Sequence, residues 1–529
     1  GHSNVAIGSS AIQTNQTGDN NTAIGYLSLD KTTQDENVAV GNYTLRENLT
    51  GEYNTATGYA ALTKNTTASN NTAFGFEALK LNTTGEANTA VGANALDANT
   101  TGSSLVAVGL GSLGNSTTGN KNTAVGRSSL NANTTGSHLT AVGNEALAAN
   151  TSGLYNVAVG SEALKTCTGA NNMVAIGFRA LEENTSGSSN TAIGGFALDD
   201  NTTGYYNVGV GTEVLSDNTT GVQNTAVGTF ALVDNTTASN NTAVGHRVMF
   251  ENTTGFDNNA FGSHCLDANT SGFDNNAFGK AALGANTTGH SNTAMGHVAL
   301  DANTTGGSST AVGHAALTTN TTGTHQTAIG VNALYSATAG NSNTAVGRSA
   351  GFGVSTGSNN LLLGQNAGRS DSPSGSITTQ NNTVCLGNNN ISSLFCADTS
   401  ISSSDSRDKT DVTNFNIGLA WINALRPVTY RWDRRTWYGT DAEPYGTPDG
   451  SKKRNKLHIG FLAQEALEVE KANGYGTSND DSLICNLTDD GMSYGIKYER
   501  LVPILVNAIK ELSAKNTSLE TRVATLEAA

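Results

Sequence analysis

The stretch "NTAVGANALDANTTGSS", residues 88–104, is one copy of a unit that returns along most of this 529-residue chain. Its N-T-A-V/I-G motif ends at Gly41, Gly58, Gly75, Gly92 and Gly109 and continues every 17 residues to Gly364, with earlier copies ending at Gly8 and Gly25. A loop tolerates insertions, whereas a stacked rung that changes length misaligns its neighbours, so the constant period is a structural constraint. Each unit holds two short apolar stretches separated by Gly- and Asn-containing turns, which leaves no room for a helix of ordinary length. One coil of a β-solenoid per unit is expected over residues 1–364. All five prolines lie at or beyond Pro373, as expected if a proline inside a rung would delete a ladder hydrogen bond.

Two residues before the glycine the side chain is Ala in nearly every copy (Ala73, Ala90, Ala124, Ala158, Ala243), with Gly209 as a variant; one residue before, it is larger, as in Phe74, Val91, Ile176 and Met295. Neighbouring strand positions face opposite ways. The methyl-only face therefore predicts close approach by another backbone, and the bulkier face a wider core. The fixed glycine is expected at positive φ, and recurrent Asn such as Asn88, Asn99 and Asn122 are expected to stack as amide ladders along the axis. So small a coil has little interior, which predicts burial of its second apolar face against copies of itself. A cyclic trimer is the most economical shaft. At about 4.8 Å per strand it would be on the order of 100 Å long.

The net charge of -15 is unevenly placed: residues 1–403 hold 12 Lys+Arg against 25 Asp+Glu, and residues 404–529 hold 16 against 18. Such an acidic shaft repels phosphate backbones and anionic lipid, so nucleic acid is not an expected partner. No apolar run reaches the roughly 18 residues of a membrane helix. The first residues, GHSNVAIG, already lie inside a repeat, which reads as a fragment or a processed chain. Cys167, Cys265, Cys385, Cys396 and Cys485 lack CxxC or Cys/His spacing, so no metal or other cofactor is expected, and buried thiols are. A Cys385 to Cys396 bridge stays open. Acids such as Asp97, Asp200, Asp234, Asp267 and Asp301 fall at variable positions, as on a solvated edge. The Thr pairs of the NTTG turn predict a regular Thr array, for which ordinary turn chemistry suffices.

From about residue 365 the rungs degrade through a Ser-, Pro- and Gly-containing transition to residue 403, and all three Trp lie beyond it. In residues 404–529, IGLAWINAL reads as a short helix stopped at Arg426-Pro427, VTYRW and LHIGFLA as strands, QEALEVEKA as a helix, and Gly439 to Asn455 as a loop. From about residue 499 the pattern is a long helix with a heptad seam. Leu505, Leu512, Leu519 and Leu526 take one seam position, and Val502, Ile509, Asn516 and Val523 its companion. This is a coiled-coil pattern whose β-branched and Leu choices favour a dimer in isolation, so the trimer expectation rests on the shaft.

Two resemblances follow from these motifs. The NxAxG strand in a short two-strand coil resembles the head repeats of Yersinia-adhesin-type trimeric autotransporters, which implies a trimeric left-handed β-roll; those heads use a shorter coil. The run Ser404-Asp405-Ser406-Arg407-Asp408-Lys409, followed by INALRPVTYRW, IGFLAQEA and LVPILVNAIKEL, resembles the C-terminal intramolecular chaperone domain of phage endosialidase tail spikes and related tail fibres. That resemblance implies a trimer that assembles the preceding shaft and then releases itself by autoproteolysis. It puts the nucleophile at Ser404, the basic partner at Lys409 and a supporting cation at Arg407, with cleavage between Ser403 and Ser404. The sequence departs from the family pattern at Asp408, where relatives carry an apolar residue.

The expectation is an extracellular homotrimeric fibre, a viral or phage tail fibre on the virion, that attaches to a host-surface glycan or protein receptor. A bacterial cell-surface adhesin is the alternative, followed by a glycan-cleaving spike and an ice-binding rod. Any enzymatic activity expected is a single-turnover Ser-Lys autoproteolysis.

Overall fold

The structure, a computed structural model, describes residues 1–391, 410, 412–439, 445–478, 480–487 and 494–528. It divides into two units, Gly1–Asn390 and Ile391–Ala529.

The first unit is a parallel β-solenoid. Its 23 three-residue strands run from β1 (Val5–Ile7) to β23 (Val384–Leu386). Each strand pairs in parallel with the strand one unit further on, in register by motif position: Thr89 opposite Val106, Ala90 opposite Ala107, Val91 opposite Val108. The register survives two changes of length. Thr22 faces Val38, one residue short of the usual period, and Leu361 faces Val384 across an insertion.

The strand glycine is what holds the period. Gly92 has φ 138°, and a Cβ there would stand 2.5 Å from the Gly109 carbonyl oxygen of the next rung. No side chain fits without separating the rungs.

The two strand faces are disposed differently from the expectation. Ala90, Ala95 and Leu96 are fully buried inside the coil, whereas Phe74, Ile176 and Met295 point outward, Phe74 with 59% of its surface exposed. The methyl limit is thus set by the coil's own interior. At Gly209 an added Cβ would meet Val214 Cγ1 at 3.0 Å and Leu198 Cδ1 at 3.2 Å. Val214 stands where most rungs have Ala, so the glycine makes room for the larger neighbour.

Each coil forms one strand, not two. The second apolar stretch instead turns through left-handed residues, Asn94 (φ 56°) and Leu96 (φ 54°), and a third, Ser104 (φ 59°), precedes the next unit. Each such residue costs roughly 1–2 kcal/mol. The stacking keeps the ladder intact: Asn94 N–H donates back to Phe76 O at 2.9 Å and Leu96 N–H forward to Ser112 O at 3.0 Å. Full burial of Leu96, worth roughly 1.5–3 kcal/mol, offsets much of the strain.

Two amide ladders line the interior. In one, Asn99 Nδ2 donates to Asn82 Oδ1 at 2.9 Å and to Gly102 O at 3.0 Å. In the other, Asn88 Oδ1 accepts the Leu105 N–H at 3.0 Å while its Nδ2 donates to Gly102 O at 2.9 Å. Buried amides left unpaired are costly, so these ladders fix register as well as stability.

The second unit is a small α+β fold. Its elements are α1 (Leu419–Ala424), β24 (Val428–Tyr430), β25 (His458–Gly460), α2 (Ala463–Ala472), β26 (Cys485–Leu487), β27 (Tyr494–Ile496) and α3 (Leu501–Glu527). Antiparallel pairs form between β24 and β25 and between β26 and β27. Trp421, Leu425, Ala466, Ile484, Cys485, Leu501 and Ile504 make its core. Both helices and both strands expected before residue 473 are present; the β26–β27 pair is additional.

Candidate processing junction and assembly surfaces

The inserted turn before β23 is closed by Ser372, whose hydroxyl donates to Gly375 O at 3.1 Å, and Ser374 Oγ donates to Cys385 Sγ at 3.3 Å. The expected cleavage residues Ser403 and Ser404, with Arg407, Asp408 and Lys409, lie outside the described residues, as does Cys396. The four described cysteines are free and buried. Burial pushes the Cys265 and Cys485 thiols up to about 12, with the Glu470 carboxylate adding to the effect at Cys485.

Downstream of the junction the chain is tied to the start of α3. Asn507 Nδ2 donates to Phe415 O at 2.6 Å and to Ile417 O at 3.2 Å, and Leu419 N–H donates to Glu511 Oε2 at 3.2 Å. A second anchor is Glu470 on α2, fully buried. Its carboxylate accepts from Ser482 Oγ at 2.9 Å, from Cys485 N–H at 3.0 Å and from Ile484 N–H. A buried carboxylate so surrounded fastens residues 482–485 to the helix. Glu470 was not singled out from sequence, although it falls four residues after the buried Ala466 on one helix face.

The helix α3 has two apolar faces. Leu501, Ile504 and Ala508 are buried in the domain core. The seam residues Val502, Leu505, Ile509, Leu512, Leu519, Val523 and Leu526 are all exposed, Leu526 by 76%. Asn516, in the same seam, donates to Glu520 Oε1 at 2.8 Å. The solenoid has an apolar surface of its own, since residues flanking the buried Ala of each strand point outward. Ile7, Ile24, Phe74, Val142, Ile176, Phe261, Phe278, Met295 and Ile329 line it among others, and Phe261 and Phe278 stack at 5.0 Å. One row of aliphatic and aromatic side chains along the 23 strands, interrupted at Thr57, far exceeds the scattered apolar exposure of a monomer.

Among the described residues no helix is long and apolar enough to cross a membrane, and no group of three or more His, Cys, Asp or Glu is arranged to hold a metal ion.

The architecture is a parallel β-solenoid followed by a small α+β domain with a long terminal helix. Residues 404–475 match the Peptidase_S74 family model, described as the chaperone of endosialidase. The match takes in α1, β24, β25 and α2 and begins at the serine expected from sequence to be the nucleophile. The chain thus carries an endosialidase-type chaperone domain behind its solenoid. No curated protein matches the chain.

Proposed function

We propose that this chain is the precursor of a homotrimeric extracellular fibre, a viral or phage tail fibre for host attachment, whose shaft is assembled by residues 404–529. The observation that carries this reading is the chaperone match beginning at residue 404, directly behind a repetitive solenoid. The outward apolar row of the solenoid and the exposed α3 seam support it, because each leaves in water what a second and third copy would cover.

The release step follows from the residues at the junction. Ser404 Oγ adds to the Ser403 carbonyl carbon as Lys409 Nζ takes the hydroxyl proton; the Ser404 nitrogen leaves as an amine carrying that proton, and water hydrolyses the resulting ester. Lysine acts as a base only when desolvation or a neighbouring cation lowers its proton affinity, a role that falls to Arg407. Asp408 opposes that effect and slows the cut.

Sedimentation equilibrium of the purified Ser404→Ala chain, which is expected to stay whole, tests the assembly. A mass three times that of the 54.2 kDa chain is expected. A monomer at micromolar concentration would contradict the proposal.

A further inference from the structure

One edge of the solenoid carries a feature that the assembly reading leaves unused. A polar groove of about 320 Å³ crosses three rungs, lined by Ser103, Ser104, Asn120, Lys121, Ser137 and His138. Its size is at the lower end of the range for small-ligand sites.

The groove is built in two rows. In the inner row each side chain caps the preceding rung: Ser103 Oγ accepts the Glu86 N–H at 3.0 Å, Asn120 Oδ1 the Ser103 N–H at 2.8 Å, and Ser137 Oγ the Asn120 N–H at 2.9 Å. This floor is rigid: the Ser103 and Ser137 hydroxyls donate to Thr101 O and Thr135 O at 3.5 and 3.4 Å, and Asn120 Nδ2 donates to Thr118 O at 3.0 Å, which leaves the second Asn120 amide hydrogen as its free donor. In the outer row Ser104, Lys121 and His138 all take left-handed backbone (φ 59°, 57° and 60°). The shared conformation places three exposed side chains one above another. The His138 ring stacks on Tyr155 at 5.1 Å, and Tyr155 is 55% exposed. Lys121 makes no ion pair among the described residues.

Charge distribution singles out this stretch. Upstream the same two rows hold Asp19, Asp35, Glu36, Glu52 and Glu86; from Ser103 to Asn240 they hold no acid over nine consecutive rungs. An unpaired ammonium on an acid-free strip of an acidic shaft is where an anion would settle. The groove spans two rung spacings, on the order of 10 Å, so its occupant is extended along the axis. The outer Ser104 hydroxyl, the second Asn120 amide hydrogen, one point charge and a neighbouring exposed ring are the means of recognising a sugar carrying a carboxylate. An acidic peptide shares the charge but offers no sugar-ring face for the exposed aromatic to stack on.

We infer that the groove at Lys121 and His138, extended by Tyr155 on the adjoining rung, binds a linear anionic saccharide lying along the fibre axis. This inference rests on the attachment reading and gives it a ligand class. The test uses the full-length chain with oligogalacturonate, oligoalginate and hyaluronan oligomers, alongside carboxyl-reduced oligogalacturonate and poly-glutamate as controls, read by fluorescence anisotropy. Wild type is expected to bind at least one acidic oligosaccharide more tightly than both controls. Lys121→Gln is expected to weaken that binding about tenfold, the effect of about 1.4 kcal/mol; Tyr155→Ala should weaken acidic and reduced forms alike. Circular dichroism and native mass of both variants should match wild type.

Absence of binding to all three acidic oligomers, equal binding to poly-glutamate, or indifference to Lys121→Gln would each overturn the site. Adherence of fluorescent full-length chain to host cells is measured in parallel. Adherence that survives Lys121→Gln refutes the groove and leaves attachment standing, whereas loss of all adherence by wild type removes both.

Discussion

Cys167 stands in the buried ladder where most rungs carry Asn, and the consequence is visible one rung earlier: Asn150 Oδ1 is buried with no hydrogen-bond partner. Ser116 leaves Asn99 Oδ1 in the same condition. Cys167→Asn restores the missing donor and is expected to raise stability by about 1–2 kcal/mol in denaturant unfolding. Gly209→Ala tests the interior volume: overpacking against Val214 should cost about 1–3 kcal/mol, largely recovered in the double variant with Val214→Ala. Asp199 supplies a pH dependence. Burial, and then the adjacent Asp200 carboxylate, raise its carboxyl to about 6. With the folded value above the ordinary 3.8, its contribution to stability is fully present below pH 3.8 and is lost as pH rises through about 6. Asp199→Asn should therefore leave the melting temperature unchanged near pH 4, and raise it progressively up to pH 7. Period, glycine and ladder positions were legible here because each repeats the same demand. The left-handed Leu96 was not, since leucine's intrinsic preference argues against that conformation and only stacking in three dimensions supports it.

At the level of elements, alternation along a strand shows that Ala90 and Val91 face opposite ways but not which of them faces inward. The deciding fact is the width of the coil, set by Leu96 and the amide ladders across from the strand. The outward row then becomes the surface to perturb. Phe261→Asp with Phe278→Asp should lower the oligomeric state while Ala260 and Ala277, which face inward, keep the coil folded. In α3 the two faces separate two effects. Leu512→Asp with Leu519→Asp should weaken association with little change in the domain's near-ultraviolet signal from Trp421, whereas Ile504→Ala should destabilise the domain itself by about 2–5 kcal/mol. Sequence placed the long helix α3 because its heptad spacing needs no tertiary information; the association its seam predicts is what Leu512→Asp with Leu519→Asp measures. The β26–β27 pair escaped notice because its three-residue strands, CNL and YGI, show no clear alternation. Glu470 escaped because a carboxylate on a helix is ordinarily solvated.

On the scale of the whole molecule, the solenoid is made of contacts one period apart, and any rung can pair with a neighbour in the wrong register of an identical motif. Such an array needs something to fix alignment, which is the work assigned to residues 404–529. Expression of residues 1–403 alone should yield aggregated or polydisperse shaft, and soluble uniform trimers from that truncation would remove the assembly role. In the proposed assembly sequence residues 404–529 detach from the finished shaft at the bond before Ser404. Intact mass of wild type and Ser404→Ala after denaturation reads this release. Wild type is expected to give two fragments meeting between Ser403 and Ser404, accumulating slowly because of Asp408, with Ser404→Ala remaining at 54.2 kDa. A wild-type chain that assembles into trimers yet stays whole on prolonged incubation, or a Ser404→Ala chain cut at the same bond, would contradict it.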